Sequence, residues 1–135
     1  GRPSAPVTCR ALAADAVVLT DGRVLLLERT HPPFEGAWVL PGGMVEEGET
    51  SRAAAEREVR EEVGADVVAG ERVGLYDDPD RDPRGTVSVA YRCRLAATSP
   101  SPAPRAEANA VDWFRPGALP EMGFDHARIV RDAVG

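Results

Sequence analysis

The feature that most constrains the fold is a helical segment, bounded at both ends, at residues 51 to 63. It reads SRAAAEREVREEV, with apolar residues at helical spacing. Thr50 or Ser51 can serve as the N-cap, and Gly64 lies where a helix commonly ends in a left-handed glycine. The sequence therefore predicts a helix over residues 51 to 63.

Three carboxylates share one face of this helix. At 100° per residue, Glu58, Glu61 and Glu62 fall within a sector of about 100° that borders the apolar stripe. Like charges at this spacing repel one another. Two interpretations follow: a solvated face with ion pairs to Arg57 and Arg60, or a site that collects hard cations such as Mg²⁺.

The loop before the helix, GGMVEEGET at residues 42 to 50, has the glycine spacing of a phosphate-binding loop but the wrong charge. Gly43 and Gly48 stand five apart, and Glu49 occupies the place of the usual lysine. A carboxylate there would repel a phosphate. Either the stretch is an ordinary glycine-rich turn, or metal ions held by the helix carboxylates bind the phosphates instead.

Composition limits the class of protein. The 135 residues fit one domain, residues 1 to 135, of which we expect residues 1 to 6 to form a flexible tail. A net charge of −6 argues against nucleic-acid binding, and no apolar run approaches the ~20 residues of a membrane span. The start lacks a signal-peptide core, so we expect a cytoplasmic protein. Cys9 and Cys93 are expected to be buried thiols.

The rest of the chain alternates strand and helix patterns. Asp21-Gly22 predicts a hairpin between two apolar strands, and a turn is expected at residues 41 to 43. Strands are predicted near residues 66 to 76, 86 to 95 and 110 to 114, with a mobile loop around residues 98 to 108. The end is predicted to be an amphipathic helix with Ala127, Val130 and Val134 on its buried face.

The residues from Gly43 to Ala65 resemble a known family signature. Gly43, Glu49 and the run REVREEVGA at residues 57 to 65 match the Nudix box, G-x5-E-x7-R-E-U-x-E-E-x-G-U, in which U is aliphatic. Ala65 is small for the last position. The resemblance implies a Nudix-type α/β/α sandwich with a mixed β-sheet. It also implies hydrolysis of a nucleoside diphosphate linked to another moiety, with Mg²⁺ or Mn²⁺ as cofactor.

The resemblance also assigns metal ligands by position. Glu58, Glu61 and Glu62 resemble the family's carboxylate ligands, and the backbone carbonyl of Gly42 is similar in position to a further ligand. Bound cations would neutralise the pyrophosphate and lower the pKa of the attacking water.

Other roles follow from the same comparison. Glu49 resembles the acid that pairs with Arg57, bracing the loop against the helix. The general base differs between Nudix subfamilies, so Glu61 and Glu107 are both candidates. Glu107 can equally be a solvated loop residue.

Two stretches resemble the ADP-ribose pyrophosphatase branch: YDDPDRDPRGTVSVAY at residues 76 to 91 and FDHARIV at residues 124 to 130. Arg81 and Arg84 can offer guanidinium donors to the substrate, or they can be loop charges paired with neighbouring aspartates. Trp38 can stack on an adenine ring, although a structural role beside the turn is favoured. His126 has no catalytic partner in the sequence and is expected to be a structural or surface histidine.

Competing functions remain at this level. A hydrolase of oxidised nucleoside triphosphates would keep the same box. On assembly, the resemblance allows a homodimer. A non-catalytic sensor of ADP-ribose-like ligands would usually lose acids from the REVREE segment, and here all are present.

Overall fold

A computed structural model describes residue 6, residues 9–105 and residues 108–135. Apart from Pro6, the expected tail at residues 1 to 6 lies outside the described residues, as do residues 106 and 107. In chain order the elements are β1 (Leu12–Thr20), β2 (Arg23–Arg29), β3 (Trp38–Val39), β4 (Gly42–Met44), α1 (Ser51–Val63), β5 (Val67–Tyr76), β6 (Val87–Leu95), β7 (Ala108–Phe114) and α2 (His126–Val134). Neither helix in the described ranges is long and apolar enough to cross a membrane.

The strands form a mixed sheet in the order β3-β2-β1-β6-β5, with β4 paired to β1 and β7 paired to β2. The β1–β6 pair is parallel, and the other pairs are antiparallel. The predicted hairpin joins β1 and β2, where Asp21 and Gly22 both have positive φ, as a type I′ turn requires.

One helix covers each face of the sheet. Because side chains alternate along a strand, Ala14, Ala16 and Val18 of β1 enter the cluster that contains the buried residues of α1. Val17 enters the second cluster, with the buried residues of α2. The predicted α/β/α sandwich with a mixed sheet is therefore confirmed.

The central helix has the predicted ends. The Thr50 side chain accepts a hydrogen bond from the Ala53 amide, and Gly64 ends the helix at φ 68°. The Pro- and Ser-rich segment, described up to residue 105, returns to the end of this helix. There Ala103 N donates to the Val63 carbonyl, and Arg105 N donates to the Glu62 carbonyl. Residues 98 to 105 form a largely exposed segment without helix or strand, as predicted, and its mobility stays a prediction.

Three expectations were wrong. Gly42 and Gly43 belong to strand β4 and not to a turn, because they pair with Asp15 and Ala14 of β1. In α2 the buried residues are His126, Ile129, Val130 and Ala133, while Val134 is exposed. The apolar pattern misplaced this face because a histidine lies on it. Cys9 is exposed, whereas Cys93 is buried, which raises its pKa to about 12.

Candidate active site

A cavity of about 520 Å³ brings the box residues together with the loop before β6 and the start of α2. Acids from α1 and its preceding loop line it, as do arginines from β2, α1 and the loop of residues 77 to 86. Four further buried polar residues line it: Asp15, Thr86, Ser88 and His126. The volume lies within the range of small-molecule sites.

Arg57 ties the loop to the helix. Its Nε and Nη2 donate to the two carboxylate oxygens of Glu49 at 2.7 and 3.0 Å, and Nη2 also donates to the Met44 carbonyl. The hydrogen bonds from Arg57 lower the pKa of Glu49 to about 2, and a hydrogen bond from the Glu46 amide acts in the same direction. The pKa of Arg57 is raised, chiefly by Glu49, so the pair stays charged. The ion pair expected from the resemblance is therefore present.

The three helix carboxylates have different surroundings. Arg57 Nη1 donates to Glu58 at 2.9 Å and to Glu61 at 3.1 Å, and Glu61 is the more exposed of these two. Glu62 accepts a hydrogen bond from the Gly42 amide at 2.8 Å. Burial raises the pKa of Glu58, although Arg57 opposes this.

Gly43 is required for the close approach of strand β4 to the helix. A Cβ at this position would lie 2.4 Å from the Glu58 side-chain carboxyl carbon, closer than real contacts allow. The strand backbone is therefore pressed against the carboxylate. A larger residue would displace the Glu58 carboxyl group from the cavity.

The donor set suits a hard divalent cation. Glu58, Glu61 and Glu62 offer carboxylate oxygens at one cavity, and Mg²⁺ and Mn²⁺ prefer such ligands. Across the described residues, no three His, Cys, Asp or Glu side chains are placed so that together they could hold a metal ion. In this structure the carboxylates are satisfied by Arg57 and the Gly42 amide. The residues thus fit the cation by chemistry and shared location.

Arg81 is held as part of the protein framework. Its side chain is buried, forms a two-point ion pair with Asp125 at 2.9 and 2.7 Å, and donates to the Thr86 carbonyl. Burial is the largest single influence and lowers the pKa of Arg81, but Asp125, with smaller contributions from Asp15 and Asp82, raises it overall. Of the two roles left open for Arg81, the structure shows ion pairing, but the partner is Asp125 and not one of the nearby loop aspartates.

Arg84 is more accessible. It pairs with buried Asp82, also lines the cavity, and lies 5.6 Å from the Phe124 ring centroid. Burial alone would raise the pKa of Asp82, but Arg84 lowers it overall. Of the two predicted arginines, Arg84 is the better placed to meet a ligand.

Two other predicted residues do not appear in this cavity. Trp38 packs edge-on against Phe114 at 5.0 Å and is absent from the described lining, in agreement with the structural role favoured for it. Glu107 lies outside the described residues. Conversely, sequence reasoning missed Asp15 and the burial of His126. A charged residue inside the apolar strand AADAVV was the available signal for Asp15.

The comparisons with known proteins agree with this geometry. The family model described as NUDIX domain matches residues 10–133. The chain belongs to the Nudix hydrolase family.

The relatives of this Nudix hydrolase are named for more than one activity. It is 36% identical over 123 residues to an ADP-ribose pyrophosphatase of Methanocaldococcus jannaschii, covering 90% of this chain and 72% of the relative. It is 41% identical over 103 residues to a Mycobacterium tuberculosis protein provisionally named 8-oxo-dGTP diphosphatase 2, covering 67% and 70%. A MutT/nudix family protein from Enterococcus faecalis superposes with a TM-score of 0.82 at 26% identity, over 98% of this chain and 63% of that one.

Proposed function

We propose that this Nudix hydrolase cleaves the pyrophosphate bond of ADP-ribose with Mg²⁺ or Mn²⁺. Water adds across the P–O–P bridge, so the products are AMP and ribose 5-phosphate. The observation that carries the proposal is that the three helix carboxylates and Arg84 of the RDPRG loop (residues 81 to 85) line one cavity of substrate size. The similarity to the Methanocaldococcus jannaschii enzyme supports the choice of substrate.

The acids of α1 would hold the cations. Glu58, Glu61 and Glu62, with the backbone carbonyl of Gly42, provide oxygen ligands at the cavity. When bound, divalent cations supply positive charge to the pyrophosphate and acidify the attacking water. This agrees with a loop that carries Glu49 in place of a phosphate-binding lysine.

The remaining residues would orient the reactants. Arg57 and Glu49 fix the loop against α1, so this pair positions the carboxylates and does not transfer a proton. Arg84 would bind a phosphate or ribose oxygen of the substrate. We assign Glu61 as the general base, because it is the more accessible of the two α1 acids that Arg57 contacts, at 55% exposed against 15% for Glu58. Glu107 is the alternative base.

Hydrolysis of an oxidised nucleoside triphosphate is the second candidate. The observation that favours it is the 41% identity to the Mycobacterium tuberculosis relative. The box chemistry is the same for both substrates, so only competition between them separates the two functions.

The test is product analysis with purified protein. ADP-ribose, 8-oxo-dGTP, NADH and a nucleotide sugar are incubated with Mg²⁺, with Mn²⁺ and with chelator. We expect AMP and ribose 5-phosphate, formed only with metal. Preferential cleavage of 8-oxo-dGTP would favour the second candidate function, hydrolysis of an oxidised nucleoside triphosphate. If no compound is turned over, the result would favour a non-catalytic sensor of ADP-ribose-like ligands.

The matching variant is Glu62→Gln, which removes a metal-binding charge while keeping the side-chain size. We expect it to lose nearly all turnover with little change in thermal stability. Glu47→Gln is the control, because Glu47 is exposed and lies outside the described cavity lining. Full activity in Glu62→Gln would overturn the assignment of Glu62 as a metal ligand.

A further inference from the structure

His126, the first residue of α2, is buried where the helix meets the cavity. Its Nδ1 accepts a hydrogen bond from the Leu40 amide at 3.0 Å, across 86 residues of sequence. Its Nε2 lies 3.6 Å from Asp15 Oδ2 on the central strand β1. The imidazole thus stands between the central strand and the end of β3.

The Leu40 contact fixes which nitrogen of His126 carries the proton. A nitrogen that accepts a hydrogen bond has no proton, so the neutral ring carries its proton on Nε2, beside Asp15. Burial lowers the pKa of His126, against the opposing charge of Asp15, which favours this neutral form. Asp15 Oδ2 is buried and has no hydrogen-bond partner within residues 9–105 and 108–135. A buried unpaired oxygen is costly, and Nε2–H is a donor 3.6 Å from it, while Ser88 is a second donor to the same carboxylate.

The segment held by His126 leads directly to the catalytic helix. The Pro41 carbonyl accepts a hydrogen bond from Ala16 N at 2.8 Å. A Cβ on Gly42 would lie 2.2 Å from Asp15 Oδ1, so this glycine rests on the same carboxylate. The Gly42 amide in turn donates to Glu62. A continuous set of contacts therefore runs from Asp15 and His126, through residues 40 to 42, to Glu62.

We propose that His126 and Asp15 are positioning residues for the Glu62 carboxylate. His126 holds the Leu40 amide, which sets the place of Gly42 and so the hydrogen bond that orients Glu62. Asp15 supports Gly42 and keeps the imidazole in the tautomer that can accept from Leu40. The inference rests on the proposed function, because it gives Glu62 its role in hydrolysis.

Two substitutions separate the functions of the two ring nitrogens. His126→Asn places an acceptor near the position of Nδ1, so it keeps the Leu40 hydrogen bond. His126→Gln places its amide near Nε2, so it faces Asp15 and loses the Leu40 acceptor. We expect His126→Gln to lower kcat for ADP-ribose by about tenfold to a hundredfold, as loss of supporting contacts around a metal site commonly does. We expect KM to change by less than about threefold, and His126→Asn to retain most of kcat.

Val130→Ala is the matched control for stability, because Val130 is fully buried on the same helix and packs in the second core cluster. It should lower the melting temperature without lowering kcat. The comparison covers the wild type, the two His126 variants and Val130→Ala. If kcat follows melting temperature alone across these four proteins, or if His126→Gln keeps wild-type kcat, the positioning role is wrong.

Two measurements without metal or substrate complete the test. Two-bond ¹H–¹⁵N spectra of the wild type should show His126 with its proton on Nε2. Amide exchange should show faster exchange at Leu40 and Gly42 in His126→Gln than in His126→Asn. A proton on Nδ1, or equal exchange in the two variants, would overturn the inference. If the wild type cleaves no pyrophosphate, the proposed function fails, and these two measurements still decide whether His126 holds Gly42.

Discussion

At the scale of single residues, Arg57 resolves the charge problem of α1. Glu58 and Glu61 repel each other in an isolated helix. Arg57 donates to both, and also to Glu49 from the loop. One guanidinium therefore offsets three acids that would otherwise disfavour the fold. Ion pairing by Arg57, which belongs to the first interpretation of the acidic face, is therefore present. Cation binding by the same carboxylates stays a proposal.

The Glu49–Arg57 pair predicts a pH dependence of stability. The pKa of Glu49 falls from an ordinary 4.5 to about 2 on folding, so the unfolded state binds more protons between these values. The stabilisation is present above pH 4.5 and is lost as the pH falls towards about 2. We expect urea midpoints of the wild type to fall more steeply over this window than those of Glu49→Gln. Parallel curves for the two proteins would show that the pair contributes no linked stability.

At the scale of elements, the sequence predicted what depends on local chemistry. The α1 ends follow from Thr50 and Gly64, and the hairpin follows from Asp21-Gly22. Features set by distant contacts were missed. Buried His126 contacts Leu40 and Asp15, and neither is its neighbour in the chain. Hydrophobic periodicity has no signal for a polar residue that is buried through such partners.

The end of α1 carries its own prediction. Gly64 has φ 68°, and a Cβ there would lie 2.6 Å from Arg105 Nε. An L residue in this conformation costs roughly 1–2 kcal/mol, before any movement of Arg105. Gly64→Ala should therefore lower the free energy of unfolding by at least about 1 kcal/mol in urea denaturation. Gly117→Ala is the control, because nothing lies within 4 Å of that position and its φ is not positive. Equal losses in both variants would argue against the left-handed cap.

At the scale of the whole molecule, the site depends on packing that no single motif specifies. The box supplies the acids of α1, but the cavity also needs residues from β1, the RDPRG loop and α2. Arg81 joins two of these parts, since its ion pair with Asp125 fixes the loop to the start of α2. The sequence placed both arginines in the candidate site, yet only the fold shows that one is largely engaged and the other accessible.

Cation binding should stabilise the whole fold. A ligand that binds only the folded state at 100 times its Kd adds about 2.7 kcal/mol. Mg²⁺ or Mn²⁺ should therefore raise the melting temperature by several degrees, and chelator should reverse the change. Glu62→Gln should show a much smaller shift, because one carboxylate ligand is lost, whereas Glu47→Gln should behave as the wild type. NaCl at matched ionic strength controls for screening of the −6 net charge. A shift of equal size in Glu62→Gln, or one reproduced by NaCl, would mean that the cation acts through general screening and not through the α1 carboxylates.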